Sequence, residues 1–66
     1  MNIRINDEAC EVTDAITIAE LLVQRDMAKR HLAVEVNGEV VPRAQHDQHQ
    51  LHDGDELEVV SLVGGG

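Results

Sequence analysis

The residues best suited to chemistry in this sequence are the last three, Gly64, Gly65 and Gly66, which place a free α-carboxylate on a segment without side chains. Glycine loses more conformational freedom on ordering than any other residue, and it is used where backbone must pass through a space too tight for a side chain. A frayed chain end would also explain the glycines, but a solvating tail is expected to carry charge, Ser or Pro. We therefore predict that Gly64 and Gly65 thread into a narrow enzyme channel and that the Gly66 carboxylate reacts there.

Three histidines, His46, His49 and His52, recur at intervals of three residues, with Asp47 beside the first. In a helix this spacing could place two imidazoles on one metal ion. The sequence adds no cysteine ligand or paired-ligand motif to them, whereas metal sites in proteins have fixed ligand sets. We therefore predict a polar surface segment without a metal site, and a solvated loop position for the fourth histidine, His31.

The single cysteine, Cys10, lies in a strand-like run with Glu8 and Glu11 close to it in sequence. Acidic neighbours disfavour the thiolate, which is the reactive form of cysteine, and a free cysteine usually behaves as a small hydrophobic residue. We predict a small core or edge residue without a catalytic role. One cysteine cannot form an internal disulfide, which agrees with a reducing compartment.

Composition limits the classes of partner that the chain can bind. Its 66 residues suffice for one small domain, and the absence of Phe, Tyr and Trp leaves no aromatic platform for stacking nucleic-acid bases. The net charge of -8 repels phosphate backbones and anionic lipid, and it suits a basic protein partner. The sequence has no apolar run typical of a signal peptide or a spanning helix. We expect a cytoplasmic protein that binds neither nucleic acid nor membrane.

The first half of the chain has the pattern of a hairpin followed by a helix. Ile3 and Ile5 alternate with polar residues, which is typical of a strand with one buried face, and residues 6–8 supply a turn before a second strand at 9–12. Thr17 and Glu20 match the capping box that opens a helix. The apolar positions that follow share one helical face: Ile18, Leu21 and Leu22. This stripe ends near residue 26, so the helix should be short.

The second half has the pattern of another hairpin and a final strand. Residues 32–36 alternate, and Asn37-Gly38 is typical of a tight hairpin turn before residues 39–41. Pro42 cannot donate to a ladder and closes that strand, a polar segment crosses back, and the last strand occupies residues 57–63. The order β-β-α-β-β-β predicts an α+β fold of the β-grasp type, with one main helix packed on one face of a mixed five-stranded sheet.

The last strand also suggests a contact surface. If Leu57 and Val59 point inward, alternation places Val60 and Leu62 on the opposite face, beside two glutamates. Apolar side chains gathered there would form a docking patch for a partner protein. Scattered surface hydrophobic residues explain the same pattern equally well.

Three segments within this β-grasp pattern resemble the ThiS family of sulfur carriers in thiamine biosynthesis: residues 36–43 (VNGEVVPR), 51–57 (LHDGDEL) and 63–66 (VGGG). The similarity extends over essentially the whole chain. The Asp-Gly-Asp turn and the diglycine ending are shared with the small subunit of molybdopterin synthase and with other ubiquitin-like carriers, so they identify the superfamily only. The compact length and the Asn-Gly-x-Val-Val-Pro-Arg segment favour the thiamine branch. One departure is His46, where some members of the family carry an aromatic residue.

The resemblance implies carrier chemistry at Gly66. In the family, an adenylyltransferase resembling ubiquitin-activating enzymes uses ATP to convert the terminal carboxylate into an acyl-adenylate. Sulfur from a donor such as a cysteine-desulfurase persulfide then gives a thiocarboxylate, which thiazole synthase consumes. The implied role is that of a protein cosubstrate, not an enzyme, with no catalytic residue, no metal and no bound cofactor.

Other functions remain open for the same sequence. A sulfur carrier of the molybdopterin-synthase type, or a ubiquitin-like modifier joined through Gly66 to lysine residues of target proteins, would share the activation chemistry. A metal-binding or structural module built on the histidines would not need the tail. For the domain organisation, we predict a β-grasp domain over residues 1–63 and a flexible tail over residues 64–66.

Overall fold

The computed structural model describes residues 1–28 and 31–62, which form one mixed sheet and one α-helix. The elements are β1 (Asn2–Ile5), β2 (Glu8–Glu11), α1 (Ile18–Gln24), β3 (Leu32–Val36), β4 (Glu39–Val41), a 3-10 turn (Arg43–Gln45) and β5 (Glu56–Ser61). The strand order is β2-β1-β5-β3-β4, and only β1 and β5 pair in parallel among these described strands. The predicted α+β β-grasp architecture, with its five-stranded mixed sheet, is confirmed.

Both hairpins close through left-handed turns. Asn6 and Asp7 have φ angles of 50° and 69°, and Asn37 and Gly38 have φ angles of 53° and 85°. Positive φ at both central residues is the turn geometry that matches the twist of the flanking strands. The sequence predicted that Glu8 belongs to the first turn. That turn needs only two residues, so Glu8 instead begins β2.

Helix α1 begins at the predicted capping box and is short, as expected. The Glu20 amide donates to Thr17 Oγ1 at 3.1 Å, and the Thr17 amide donates to Glu20 Oε1 at 2.9 Å. The buried face of the helix consists of Ile18, Leu21 and Leu22. No helix within residues 1–28 and 31–62 is long and apolar enough to cross a membrane.

The core lies between α1 and the inner face of the sheet. Side chains alternate between the two faces along each strand, so every strand except β2 contributes fully buried residues to this layer. The buried hydrophobic residues are all aliphatic, as the composition requires: Ile3, Ile5, Ile16, Ile18, Leu21, Leu22, Val34, Val36, Val41, Leu51, Leu57 and Val59. Removing these side chains from water is the main force that holds the helix to the sheet.

The polar segment between β4 and β5 packs against the start of α1. The carbonyl oxygens of His46 and His49 accept hydrogen bonds from the amides of Ala19 and Ile18, at 3.0 Å and 3.1 Å. Those amides lie in the first turn of the helix, where no partner exists within the helix itself. Leu51 is only 1% exposed and fixes the far end of the segment in the core. The crossing segment therefore supports the helix, in addition to covering the surface.

Candidate functional site

Strand β5 precedes the C-terminal tail and lies at the centre of the sheet. It pairs in parallel with β1 and antiparallel with β3. The predicted inward positions are confirmed, because Leu57 and Val59 are only 2% and 8% exposed. The strand begins one residue earlier than predicted and ends at Ser61. β5 therefore has a neighbouring strand on each side.

The described chain remains bonded to the sheet as far as Leu62. Its amide donates to the carbonyl oxygen of His31 at 2.9 Å, one residue beyond the end of β5. Residues 63–66 lie outside the described residues, and with them the predicted reactive and threading positions Gly64, Gly65 and Gly66. The domain boundary after residue 63 therefore stays a prediction.

The outer face of the sheet carries exposed aliphatic side chains near the end of β5. Val60 is 50% exposed and Leu62 is 64% exposed, so the predicted outward orientation is confirmed, while their docking role stays a prediction. Val60 lies opposite Ala33 on β3. Val40 on β4 is 65% exposed and was missed by the sequence analysis. Its alternation with buried Val41 was the signal that could have revealed it.

Acidic residues occupy the middle of the same outer face. Glu58 on β5 lies directly opposite Glu35 on β3, and like charges in that position destabilise a sheet. Glu56 lies opposite Arg4 on β1, but the Arg4 Nη2 donates to the carbonyl oxygen of Asp7 at 2.7 Å. These residues line a shallow groove with a strong excess of negative charge. The groove suits a cationic surface on a partner.

The histidines separate into different environments. His46 is buried, with 6% exposure, and its Nε2 lies 2.9 Å from the carbonyl oxygen of Val41. Because a carbonyl only accepts, Nε2 carries the hydrogen and donates. The prediction of a surface position is therefore wrong for His46: the 3-10 turn directs its ring beneath β4, where the Val41 carbonyl satisfies it.

The other histidines remain accessible to solvent. His49 is half-buried, and His52 and His31 are exposed, as predicted. The His52 Nδ1 lies 4.0 Å from Asp55 Oδ2. Within residues 1–28 and 31–62, no group of three or more His, Cys, Asp and Glu side chains could hold a metal ion.

Cys10 lies half-buried on the edge strand β2 and packs against the core, which confirms the predicted small core or edge position. Arg25 Nη1 donates to its sulfur at 3.3 Å. Only acidic neighbours are evident along the strand in the sequence, and this arginine, which approaches from the end of α1, was not predicted.

Comparisons with known proteins decide the family. A sequence model of the ThiS family matches residues 3–66. The Escherichia coli sulfur carrier protein ThiS is 36% identical over 66 residues, with full coverage of both chains. The chain belongs to the ThiS family. As a ThiS-type protein it is a sulfur carrier of thiamine biosynthesis and not a catalyst.

A solved structure and a larger relative extend the comparison. The crystal structure of the thiamine biosynthesis protein ThiS from Geobacter metallireducens has a TM-score of 0.87 and 33% identity, with full coverage of both chains. A thiazole synthase from Paramagnetospirillum magneticum is 38% identical over 66 residues. The present chain spans 20% of that protein's length, so the larger protein contains a ThiS-like segment.

Proposed function

We propose that this chain carries sulfur as a thiocarboxylate on Gly66 and delivers it to a thiazole synthase. The observation that carries the proposal is the ThiS family match, which extends to the last glycine of the tail. The structure supports it, because the tail follows the central strand of the sheet. A carboxylate is a poor electrophile, so the chemistry needs an activated acyl group.

The activation step consumes ATP on a partner enzyme. A Gly66 carboxylate oxygen attacks the α-phosphorus of ATP, and pyrophosphate leaves to give the acyl-adenylate. The terminal sulfur of a persulfide, such as that of a cysteine desulfurase, attacks the acyl carbon and AMP leaves. A thiol reductant then cleaves the S–S bond and releases the thiocarboxylate. The carrier contributes no acid, base or metal and binds no cofactor of its own.

The tail is short, so the folded body must take part in recognition. Extended chain spans at most about 3.3–3.6 Å per residue, so Gly64, Gly65 and Gly66 reach roughly 10 Å. Ordering each glycine costs about 1–2 kcal/mol of backbone entropy. We place the recognition surface on the outer sheet face, where Val60 and Leu62 adjoin the acidic groove. An adenylyltransferase resembling ubiquitin-activating enzymes would present apolar and basic side chains to it.

Thiazole synthase is the proposed sulfur acceptor. The Paramagnetospirillum magneticum protein of that name contains a segment similar to the whole of this chain. Linking a carrier to the enzyme that uses it raises its effective concentration without any new contact, which supports a shared reaction. The proposed location is the cytoplasm, where ATP and persulfide donors are available.

The deciding experiment measures the intact mass of the protein after incubation with a candidate adenylyltransferase, ATP and a persulfide donor. We expect the mass to increase by the difference between sulfur and oxygen, at a site that fragmentation assigns to Gly66.

Deleting Gly66 should slow the transfer, because the carboxylate withdraws by about 3.5 Å. Deleting Gly65 and Gly66 should abolish it, and Gly65→Val should be similarly severe without a change in stability, since a β-branched side chain would meet the channel wall.

Other products would contradict the proposal. A ubiquitin-like modifier would form an amide between Gly66 and a lysine, and a histidine-based module would keep its function without the tail. Transfer of sulfur to a molybdopterin precursor instead of the thiazole synthase would support the other carrier class. Sulfur on Cys10, or on the chain lacking Gly65 and Gly66, would exclude the thiocarboxylate mechanism.

A further inference from the structure

The side chain of Asn6 extends the pairing between β1 and β5 beyond the end of β1. The last backbone bond of that ladder runs from the Asn6 amide to the Leu57 carbonyl, at 2.9 Å. The chain then turns away into β2, with Asn6 at a φ angle of 50°. Its side-chain Oδ1 accepts from the Val59 amide at 2.9 Å, and its Nδ2 donates to the Val59 carbonyl at 3.2 Å. The carboxamide thus takes the place of one further peptide group in β1.

A second asparagine holds the opposite end of the same strand. Asn37 has a φ angle of 53° and occupies the equivalent position of the other hairpin turn. Its Oδ1 accepts from the Glu56 amide at 3.0 Å, and its Nδ2 donates to Asp55 Oδ1 at 3.0 Å. β5 is therefore held at its start by Asn37 and near its end by Asn6.

Asn6, unlike Asn37, contacts β5 next to the proposed docking residues. Val59 is the last buried residue of β5, and the proposed docking residues Val60 and Leu62 follow it at once. Without the Asn6 carboxamide, the Val59 amide and carbonyl would lose the hydrogen bonds that they make on the β1 side of β5. A segment that is ordered before binding does not have to lose that conformational freedom during binding.

We propose that Asn6 is a positioning residue for sulfur loading, which orders the end of β5 so that the docking residues are presented to the activating enzyme in one geometry. The inference rests on the proposed function. Asn6 touches neither the reacting carboxylate nor ATP, so its effect should lie in association and not in the chemical step.

The test compares Asn6→Gly with the matched control Asn37→Gly. Glycine accepts the positive φ angle of both turns, so each variant removes one carboxamide and preserves its hairpin. We expect the Val59 amide of Asn6→Gly to exchange with solvent about tenfold faster, from the loss of two hydrogen bonds. In ATP–pyrophosphate exchange with the adenylyltransferase, KM for the carrier should rise about tenfold, because β5 is then held near its end only by β3 and must lose the added motion on binding. The kcat should stay unchanged.

The control separates positioning from stability. Asn37→Gly should lower the stability of the fold to a similar degree yet leave KM at the wild-type value, and it should speed Val59 exchange no more than its loss of global stability requires. Equal KM values for the two variants, or unchanged Val59 exchange in Asn6→Gly, would overturn the inference. Should Asn6→Gly fail to fold, Asn6→Asp serves instead: it keeps the acceptor for the Val59 amide but turns a carboxylate oxygen toward the Val59 carbonyl, so both quantities should again rise above their Asn37→Gly values. If wild type accepts no sulfur, the proposed function fails, while Val59 exchange still tests the contact.

Discussion

At the scale of single residues, packing gives chemically identical side chains different roles. His46 and His49 are three positions apart and both follow the 3-10 turn, yet the first is buried against the Val41 carbonyl and the second is half-buried. A buried imidazole without a partner would cost free energy, so the hydrogen bond at 2.9 Å is what makes the buried position of His46 tolerable.

We predict that His46→Ala lowers the free energy of unfolding by about 1–3 kcal/mol, because it removes a buried ring and leaves the Val41 carbonyl without its donor. Urea denaturation provides the measurement. His46→Gln keeps a donor and should lose less of the free energy of unfolding.

The matched controls His49→Gln and His52→Gln should each stay within about 0.5 kcal/mol of wild type in the free energy of unfolding. The variant that carries both of these substitutions should transfer sulfur normally. Loss of sulfur transfer in that double variant, with its fold intact, would give these histidines a functional role.

At the scale of elements, the sheet separates the core from the proposed docking surface. Its inner face packs on α1, and its outer face carries Val60 and the opposed glutamates Glu35 and Glu58. The helix also has an exposed aliphatic residue, Val23, which is 67% exposed and lies on the other layer of the fold. Two exposed valines on opposite layers therefore provide a direct comparison.

We predict that Val60→Asp raises the KM of the adenylyltransferase for the carrier about tenfold, because a charge would be buried at the centre of the contact. Val23→Asp should leave KM unchanged, since it adds the same charge on the helix layer. Both variants should keep wild-type circular dichroism and unfold cooperatively, with at most a modest loss of stability from an Asp in a strand or in the last turn of a helix. The docking surface would be misplaced if Val60→Asp behaved like Val23→Asp, or if Val23→Asp alone impaired the reaction.

At the scale of the whole molecule, charge is the dominant property. The net charge of -8 over 66 residues gives a field that attracts a basic partner from a distance. The directly opposed pair of Glu35 and Glu58 adds local repulsion that the fold tolerates. A cationic partner surface would relieve that repulsion on binding, and this relief would contribute to the free energy of association.

We predict that the association rate constant with the adenylyltransferase falls by about tenfold when the salt concentration rises from about 0.05 M to about 0.5 M, because ions screen the long-range attraction. The dissociation rate should change much less. Stopped-flow measurements at several salt concentrations provide the test. Glu58→Gln should weaken the salt dependence and slightly stabilise the sheet. An association rate independent of salt would exclude electrostatic steering.

Most of the fold could be predicted from local patterns in the sequence. Alternation located the strands and their inward residues, the pair of Thr17 and Glu20 located the start of the helix, and Asn37-Gly38 located a hairpin turn, because each of these signals lies within a few neighbouring residues. The exposure of Val60 and Leu62 followed from the same alternation. The chemistry assigned to Gly66 came from the nature of the tail and from the family resemblance.

Only the tertiary structure decided which distant residues meet. The burial of His46 depends on packing, although its hydrogen-bond partner Val41 is only five positions away. The arginine beside Cys10, the facing glutamates and the contact of Asn6 with Val59 all join positions well apart in the chain. The residues that make the last of these contacts are 53 positions apart. Local propensity carries no information about such pairs, because they depend on how the elements are arranged in space. β5 enters the sheet between β1 and β3, and its parallel pairing with β1 brings Val59 beside the first turn of the chain.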